Sequence, residues 1–111
     1  MSRKTTRTKF RLRRIRNEDV KSCVNIVVRS DPWITLGTTM KDASKAIGEG
    51  MKSGQVIVAV KAKQVAGFLV LLPRSGFPLG GYVKLLAVDE KFRGMGVGRA
   101  LLNRAEDLVF K

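Results

Sequence analysis

Apolar and polar residues follow strand-like patterns in four segments of the chain. The first segment alternates apolar with basic residues, as a half-buried strand does, and the third is almost continuously apolar, which is typical of a strand in the centre of a sheet. A polar turn at 61–64 and a loop rich in glycine and proline at 73–81 separate the last three segments. The four predicted strands are 10–15, 55–60, 65–72 and 82–88.

Three other segments repeat apolar residues with the period of an amphipathic helix: 18–29, a segment that begins at 40 and ends between 48 and 54, and 97–110. Asn17 is expected to cap the first helix, and Thr39 with Asp42 is expected to form a capping box at the second. The residues predicted on the inner faces are Val20, Cys23, Val24, Val27 and Val28, then Met40, Ala43, Ile47 and Met51, then Val97, Leu101, Leu102, Ala105, Leu108 and Val109.

The order of these elements is strand, helix, helix, strand, strand, strand, helix. The last three strands form two antiparallel hairpins, so the predicted fold class is α+β, with helices on a mixed, mostly antiparallel sheet in α/β/α layers. The length of 111 residues and the hydrophobic fraction of 44% suit one domain with a real core.

Composition narrows the classes of protein. No apolar run reaches the roughly 18 residues of a membrane span, so we expect no membrane partner. The single cysteine, Cys23, cannot form an internal disulfide, which favours a reducing, cytoplasmic compartment and a core role for this residue. The chain has no histidine, the commonest general base and metal ligand, and we expect no metal cofactor.

The net charge of +13 is concentrated at the N-terminus. Residues 1–16 hold eight of the 22 Lys and Arg residues and no acidic residue. Residues 1–9 lack apolar periodicity, which predicts a basic flexible tail. Nucleic-acid binding through residues 1–16 is the alternative, and it is less favoured because no aromatic residues are interleaved with the arginines.

The segment after the fourth predicted strand carries the clearest chemical signal. Gly94, Gly96 and Gly98 form a turn between that strand and the last predicted helix. Glycines let the backbone approach a phosphate, while the unpaired amides and the dipole of a helix N-terminus favour an anion. Arg93 and Arg99 add positive charge at the two ends of the turn, so we predict a phosphate site. Incidental glycines are less favoured, because three alternating glycines are costly without a ligand.

Two known phosphate-binding patterns do not fit this turn. A Walker loop requires Lys and then Ser or Thr after its last glycine, but Arg99 and Ala100 follow Gly98. A dinucleotide fingerprint requires a glycine at its sixth place, where this sequence has Arg99 or Leu101. What fits is Arg-x-x-Gly-x-Gly, which resembles the coenzyme A signature of the GNAT acetyltransferase superfamily.

The resemblance covers roughly residues 10–110. Besides the signature, four parts of the sequence resemble this family: Ile-Arg-Asn-Glu-Asp-Val at 15–20, Asp-Pro-Trp-Ile-Thr-Leu-Gly at 31–37, Val-Ala-Gly-Phe-Leu-Val at 65–70, and Glu106. The stretch at 31–37 is similar to a connector of one bacterial and archaeal branch. For Trp33 within it, packing is favoured over a substrate contact. The resemblance implies a partial GNAT N-acetyltransferase domain over residues 10–111.

The resemblance also implies a cosubstrate, acetyl-CoA, and a set of backbone contacts to it. Leu86, Ala87 and Val88 would pair with the pantetheine arm, and one of their amides would polarise the thioester carbonyl. The amine acceptor would attack that thioester directly. The amides expected to hold the pyrophosphate are those around Arg93, Gly94, Met95, Gly96, Val97, Gly98 and Arg99.

The sequence also departs from the family. Complete domains continue through another strand, a helix that often carries Asn and a general-acid Tyr, and two final strands, whereas this sequence ends at Lys111. Its one tyrosine, Tyr82, lies on a strand, and residues 82–88 include no carboxylate, so no catalytic side chain is identified. We expect a fragment, or one half of a complemented domain, with impaired activity and self-association through Tyr82–Val88. The acceptor stays open among a protein N-terminus, a lysine, a small amine and an antibiotic.

Overall fold

The computed structural model describes residues 10–30, 33–73 and 81–109. Four strands form one antiparallel sheet in the order β1-β2-β3-β4. The strands are β1 (Arg11–Arg14), β2 (Gln55–Lys61), β3 (Gln64–Pro73) and β4 (Gly81–Val88). The helices are α1 (Val20–Arg29), α2 (Met40–Ser53) and α3 (Val97–Val109), with 3-10 turns at Asn17–Asp19 and Glu90–Phe92. The α+β class is confirmed, while the tail at 1–9 and most of the loop at 73–81 lie outside the described residues.

Helices cover both faces of the sheet, which gives the predicted α/β/α layers. Successive residues of a strand point to opposite faces, and in β3 Phe68 and Val70 pack toward α1 and α2 while Leu69 and Leu71 pack toward α3. These four side chains are buried, and β3 lies between β2 and β4. The predicted central position of 65–72 is therefore confirmed, and double-sided burial explains its continuous apolar run.

A bulge interrupts β4 shortly before the end of the strand. Val70 pairs with Leu85 and Leu71 pairs with Val83, so Lys84 is an extra residue on β4. Such a bulge bends and twists its strand locally. The strand direction therefore changes at the bulge, and the residues after it, Leu85 to Val88, lead toward the glycine turn.

The inner face of α2 is only partly as predicted. Ala43 and Ile47 are buried, but Met40 and Met51 are 60% and 41% exposed, so their predicted inward position is wrong. The helix approaches the sheet too closely for long side chains: a Cβ on Gly50 would lie 2.6 Å from Val56 Cγ2. A face of small residues therefore meets the sheet, and the methionines lie at the two ends of the helix beside it.

The other two helices also differ from the prediction at a few positions. In α1, the buried set is Cys23, Val24, Ile26 and Val27; the prediction missed Ile26, and Val28 is only half-buried. In α3, a stripe at every fourth residue is buried: Val97, Leu101 and Ala105. Leu102 and Leu108 are 43% and 37% exposed, so their inward position is wrong. They flank the stripe, and the described part of the chain places no element over them; the Val109 side chain lies outside the described residues.

The predicted caps had mixed outcomes. Thr39 Oγ1 accepts from Asp42 N at 3.1 Å and the Asp42 carboxylate accepts from Thr39 N at 3.0 Å, which confirms the capping box. Asn17 does not cap the first helix, because Asn17–Asp19 form a 3-10 turn ahead of it. Asp19 makes the local contacts instead: its carboxylate accepts from Arg16 N at 2.8 Å and from both terminal nitrogens of Arg13 at 2.7 and 3.2 Å.

Candidate cofactor site

The three glycines of the turn after β4 have different structural roles. Gly94 and Gly96 have φ of +81° and +82°, values that favour glycine, and a Cβ on either would meet nothing within 4 Å. Their requirement is therefore conformational. Gly98 has no such φ, and a Cβ there would make an ordinary contact of 3.8 Å with Val88 Cγ2. Of the three positions, Gly98 is the one where an added side chain would enter the space beside β4.

The start of α3 provides a group of backbone donors beside this turn. The first bond of the helix runs from Ala100 N to Gly96 O at 3.0 Å. The amides of Val97, Gly98 and Arg99 precede that bond and have no acceptor inside the helix, as in any first turn. Together with the helix dipole and the exposed Arg99 side chain, they make this helix end attractive to an anion.

The outer edge of β4 presents a second group of donors. Asp89 N donates to Ala66 O at 2.8 Å, and hydrogen-bonded and open positions alternate along an antiparallel pair. Ala87, paired with Phe68, therefore turns its backbone groups toward β3. Leu86 and Val88 turn theirs away from the sheet. Of the three strand residues predicted to contact pantetheine, the structure places the amides of two at this edge.

The connector between α1 and α2 lies against the same edge. Trp33 Nε1 donates to Leu86 O at 3.2 Å, across 53 positions in the sequence. Ser30 Oγ donates to Ile26 O and also lies 3.5 Å from Val88 O. Side chains of Ser30 and Trp33 thus contact the outward carbonyls of β4, and the outward amides of Leu86 and Val88 lie along the same edge.

One cavity of about 380 Å³ joins these two groups of donors. Its lining includes eight of the ten predicted contact residues. Met95 and Arg99 do not line it, and both are exposed. Two lining residues were not among the predicted contacts, Trp33 and Phe92. Phe92 is the last residue of the 3-10 turn and packs edge-to-face on Phe10, with the ring centroids 6.1 Å apart. The described residues that line it are Trp33, Leu86, Ala87, Val88, Phe92, Arg93, Gly94, Gly96, Val97 and Gly98.

Ionisable groups near the cavity have structural roles or lie apart from it. Among the described residues that line it, Arg93 alone has an ionisable side chain. Asp89 Oδ1 accepts from Lys91 N at 2.9 Å and so caps the 3-10 turn. Cys23 is buried in the core, and burial raises the pKa of its thiol to about 12, which keeps it protonated and unreactive. No general base is identified among the described residues that line the cavity, as none was identified from the sequence.

A larger concavity of about 1080 Å³ lies between α1 and the β2–β3 turn and bears on the nucleic-acid alternative. Its charged lining mixes both signs: Arg11, Arg13, Arg16, Arg29, Lys61, Lys63 and Lys91 with Glu18, Asp19, Asp89 and Glu90. Arg13 is held in the ion pair with Asp19. None of the described residues that line it has an aromatic side chain on which a base could stack.

Among the described residues, no helix is both long and apolar enough to traverse a membrane. Comparison with curated proteins finds no match. Several solved structures share the fold. Ard1 from Thermoplasma volcanium is 26% identical, with a TM-score of 0.69 over 91% of this chain and 64% of that one.

Two further structures contain coenzyme A. An aminoglycoside 6'-N-acetyltransferase complexed with coenzyme A is 17% identical, with a TM-score of 0.74 over 90% of this chain and 55% of that one. The N-acetyltransferase YhbS from Escherichia coli, in complex with CoA, is 24% identical, with a TM-score of 0.70 over 90% of this chain and 56% of that one. The chain thus spans less than two thirds of the length of these three proteins. The sequence model of the family described as Acetyltransferase (GNAT) family matches residues 15–111, and the chain belongs to this family.

Proposed function

We propose that this chain binds acetyl-CoA in the 380 Å³ cavity between β4 and α3 and transfers the acetyl group to an amine. One observation carries the proposal: Leu86 and Val88, whose amides turn away from the sheet, line the same cavity as Val97 and Gly98 of the first turn of α3. A ligand with a pyrophosphate at one end and a chain of amide and thioester carbonyls at the other suits this arrangement. The two relatives solved with coenzyme A support the same choice.

The two ends of the cofactor would use different physical interactions. The pyrophosphate would accept from the amides of residues 97–99 and from the backbone around Gly94 and Gly96, with Arg93 adding charge. The pantetheine arm would extend along the β4 edge, where the amides of Leu86 and Val88 donate to its carbonyls. Apolar side chains of Val88, Phe92 and Val97 would contact its methylene groups.

The reaction that suits this site is direct aminolysis of the thioester. The amine nitrogen forms a bond to the thioester carbon, the C–S bond breaks, and the thiolate takes a proton as the amine loses one. An outward amide of β4 would stabilise the oxyanion, a contribution on the order of 10²–10³ in rate for one such donor. The acceptor supplies the amine, and the classes to assay are a protein N-terminus, a lysine, a small amine and an antibiotic.

Binding is tested directly by calorimetry with CoA and acetyl-CoA, and by amide chemical shifts of the labelled protein. We expect heat of binding and the largest shifts within residues 86–99. Absence of heat, together with unchanged shifts at these residues, would overturn the proposal. Transfer itself is tested by release of free thiol in the presence of amine acceptors.

The same experiments separate the nucleic-acid alternative when a deletion variant is included. Residues 11–14 form β1 and pair with Ile57–Val60 of β2, so the deletion should stop at residue 9 rather than include the strand. Acetyl-CoA affinity should survive this deletion. Binding of an oligonucleotide that is lost with residues 1–9 and falls steeply with salt would instead support a nucleic-acid role for the basic N-terminal residues.

A further inference from the structure

Trp33 has an unusual place among the residues that line the cavity. The other nine come from 86–98, whereas Trp33 comes from the connector between α1 and α2. Its side chain is half-buried and packs against the core beneath α1 and α2. Its indole N–H reaches over the edge of the sheet to Leu86 O at 3.2 Å.

Several contacts hold the indole in this position. Thr38 N donates to the Trp33 carbonyl at 3.0 Å, and Ile34 N donates to the Ser30 carbonyl at 3.0 Å, which closes the connector into a tight turn. Ile34 and Leu36 of the same turn are 53% and 68% exposed. The turn therefore directs Trp33 inward while its apolar neighbours face outward. Movement of the indole would therefore break its hydrogen bond to Leu86 O and at the same time remove the ring from its contacts with the core.

The indole stands at one particular end of the cavity. Leu86 is the β4 lining residue farthest in sequence from the glycine turn, two residues before Val88. Successive outward positions of a strand lie roughly 6.6 Å apart. A cofactor whose pyrophosphate lies at the turn extends along β4 from Val88 toward Leu86. Its acyl end, which is the end farthest from the pyrophosphate, would point toward the end of the cavity where Trp33 lies.

We propose that Trp33 is a specificity-determining residue that limits the acyl chain of the donor to a short one. This inference rests on the proposed function, because it requires a coenzyme A thioester in the cavity. An acetyl methyl fits in front of the indole, whereas each additional methylene of a straight-chain acyl group extends into the ring. Because the ring is held by its hydrogen bond and by core packing, the longer chain is excluded.

The test compares a series of ligands on the full chain: CoA, acetyl-CoA, butanoyl-CoA and hexanoyl-CoA, each measured by calorimetry against the wild type and three variants. Trp33→Ala removes the ring, Trp33→Leu keeps an apolar contact with the core but shortens the side chain, and Trp33→Phe keeps a ring without the N–H donor. Circular dichroism verifies that each variant is folded.

In the wild type, affinity is expected to fall at least about tenfold from acetyl-CoA to hexanoyl-CoA, which has a longer chain by four methylenes. About tenfold is the lower end of the discrimination that a single methylene produces in a hydrophobic pocket. In Trp33→Ala and Trp33→Leu, hexanoyl-CoA should bind within about threefold of acetyl-CoA, so the ratio of these two affinities is the quantity that reports the role of the ring. Trp33→Phe should keep the preference for acetyl-CoA. If Trp33 only stabilised the fold, its replacement would change the affinities for all four ligands by the same factor.

The outcomes of the inference and of the proposed function are distinct. A wild type that binds CoA but binds hexanoyl-CoA as tightly as acetyl-CoA overturns the inference, whatever the variants do. Unchanged chain-length discrimination in Trp33→Ala also overturns the inference. If Trp33→Ala proves unfolded, unchanged discrimination in Trp33→Leu overturns it instead. A wild type that binds none of the four ligands overturns the proposed function itself.

Discussion

Replacement of Gly98 by alanine should stabilise the free protein and weaken cofactor binding, two effects of opposite sign from one methyl group. Gly98 is the second residue of α3, where alanine is favoured over glycine by about 0.5 kcal/mol, the lower end of the range for a helix position. Its Cβ would meet only Val88 Cγ2, at 3.8 Å, so no clash offsets the gain. For a domain of this size, the melting temperature should rise by about 2–4 °C.

The same methyl group would occupy space that the cofactor needs. Gly98 and Val88 both line the cavity, so the methyl extends into it beside the helix amides that would hold the pyrophosphate. We expect the affinity for CoA to fall by about tenfold, which corresponds to about 1.4 kcal/mol. At a CoA concentration of 100 times the wild-type Kd, the ligand stabilises the wild type by about 2.7 kcal/mol and the variant by about half as much.

The assay is thermal unfolding with and without CoA, supported by calorimetry. The order of the two melting temperatures should invert: the variant melts higher without CoA and lower with it. Gly48→Ala is the matched control, since Gly48 lies on the exposed face of α2 and a Cβ there meets nothing within 4 Å. It should stabilise the protein by about 0.5–1 kcal/mol in either condition. A Gly98→Ala protein with wild-type affinity for CoA would refute a pyrophosphate site at the start of α3.

Three further predictions concern the turn, the ion pair and the cysteine. Gly96→Glu should lower CoA affinity by well over tenfold, because its carboxylate would block and repel the pyrophosphate and a non-glycine residue strains the turn at φ of +82°. Arg93→Ala should cost less because the backbone donors remain, and calorimetry on both variants checks this order. The Arg13 guanidinium, which is hydrogen-bonded to Asp19, lowers the pKa of the Asp19 carboxyl. The stability that this interaction contributes is therefore fully present above the unfolded-state pKa of Asp, near 3.9, and is lost as pH falls through the pKa of Asp19 in the folded protein. Asp19→Asn should therefore lose about 1–2 kcal/mol at pH 7 and show a weaker decline of stability in acid denaturation, and an equally steep decline would contradict this role. The Cys23 thiol, with a pKa raised to about 12 by burial, should react with a thiol reagent at pH 8 only after unfolding; rapid reaction of the native protein would disprove its core position.

Local patterns along the chain were sufficient to predict every strand and helix that the structure describes. The glycine turn was also recognisable, because its residues are adjacent in sequence and backbone donors form the site. Trp33 was not assigned to this site, since its bond to Leu86 spans 53 positions and no local pattern encodes it. Met40 and Met51 were misplaced for a related reason: apolar spacing identifies the side of a helix but not how closely the helix approaches its neighbour, which Gly50 determines.

The Trp33–Leu86 bond also restricts how copies of this protein could aggregate. An exposed strand edge recruits another strand by offering carbonyls and amides in register, and the sequence predicts such recruitment along Tyr82–Val88. Over the second half of that edge, an incoming strand would have to displace the indole from Leu86 O and pass the Ser30 hydroxyl at Val88 O. The first half ends at the bulge of Lys84, where twist and a charged side chain oppose extension of the sheet. The connector that shapes the cavity thereby also shortens the stretch of β4 on which a fibril could begin.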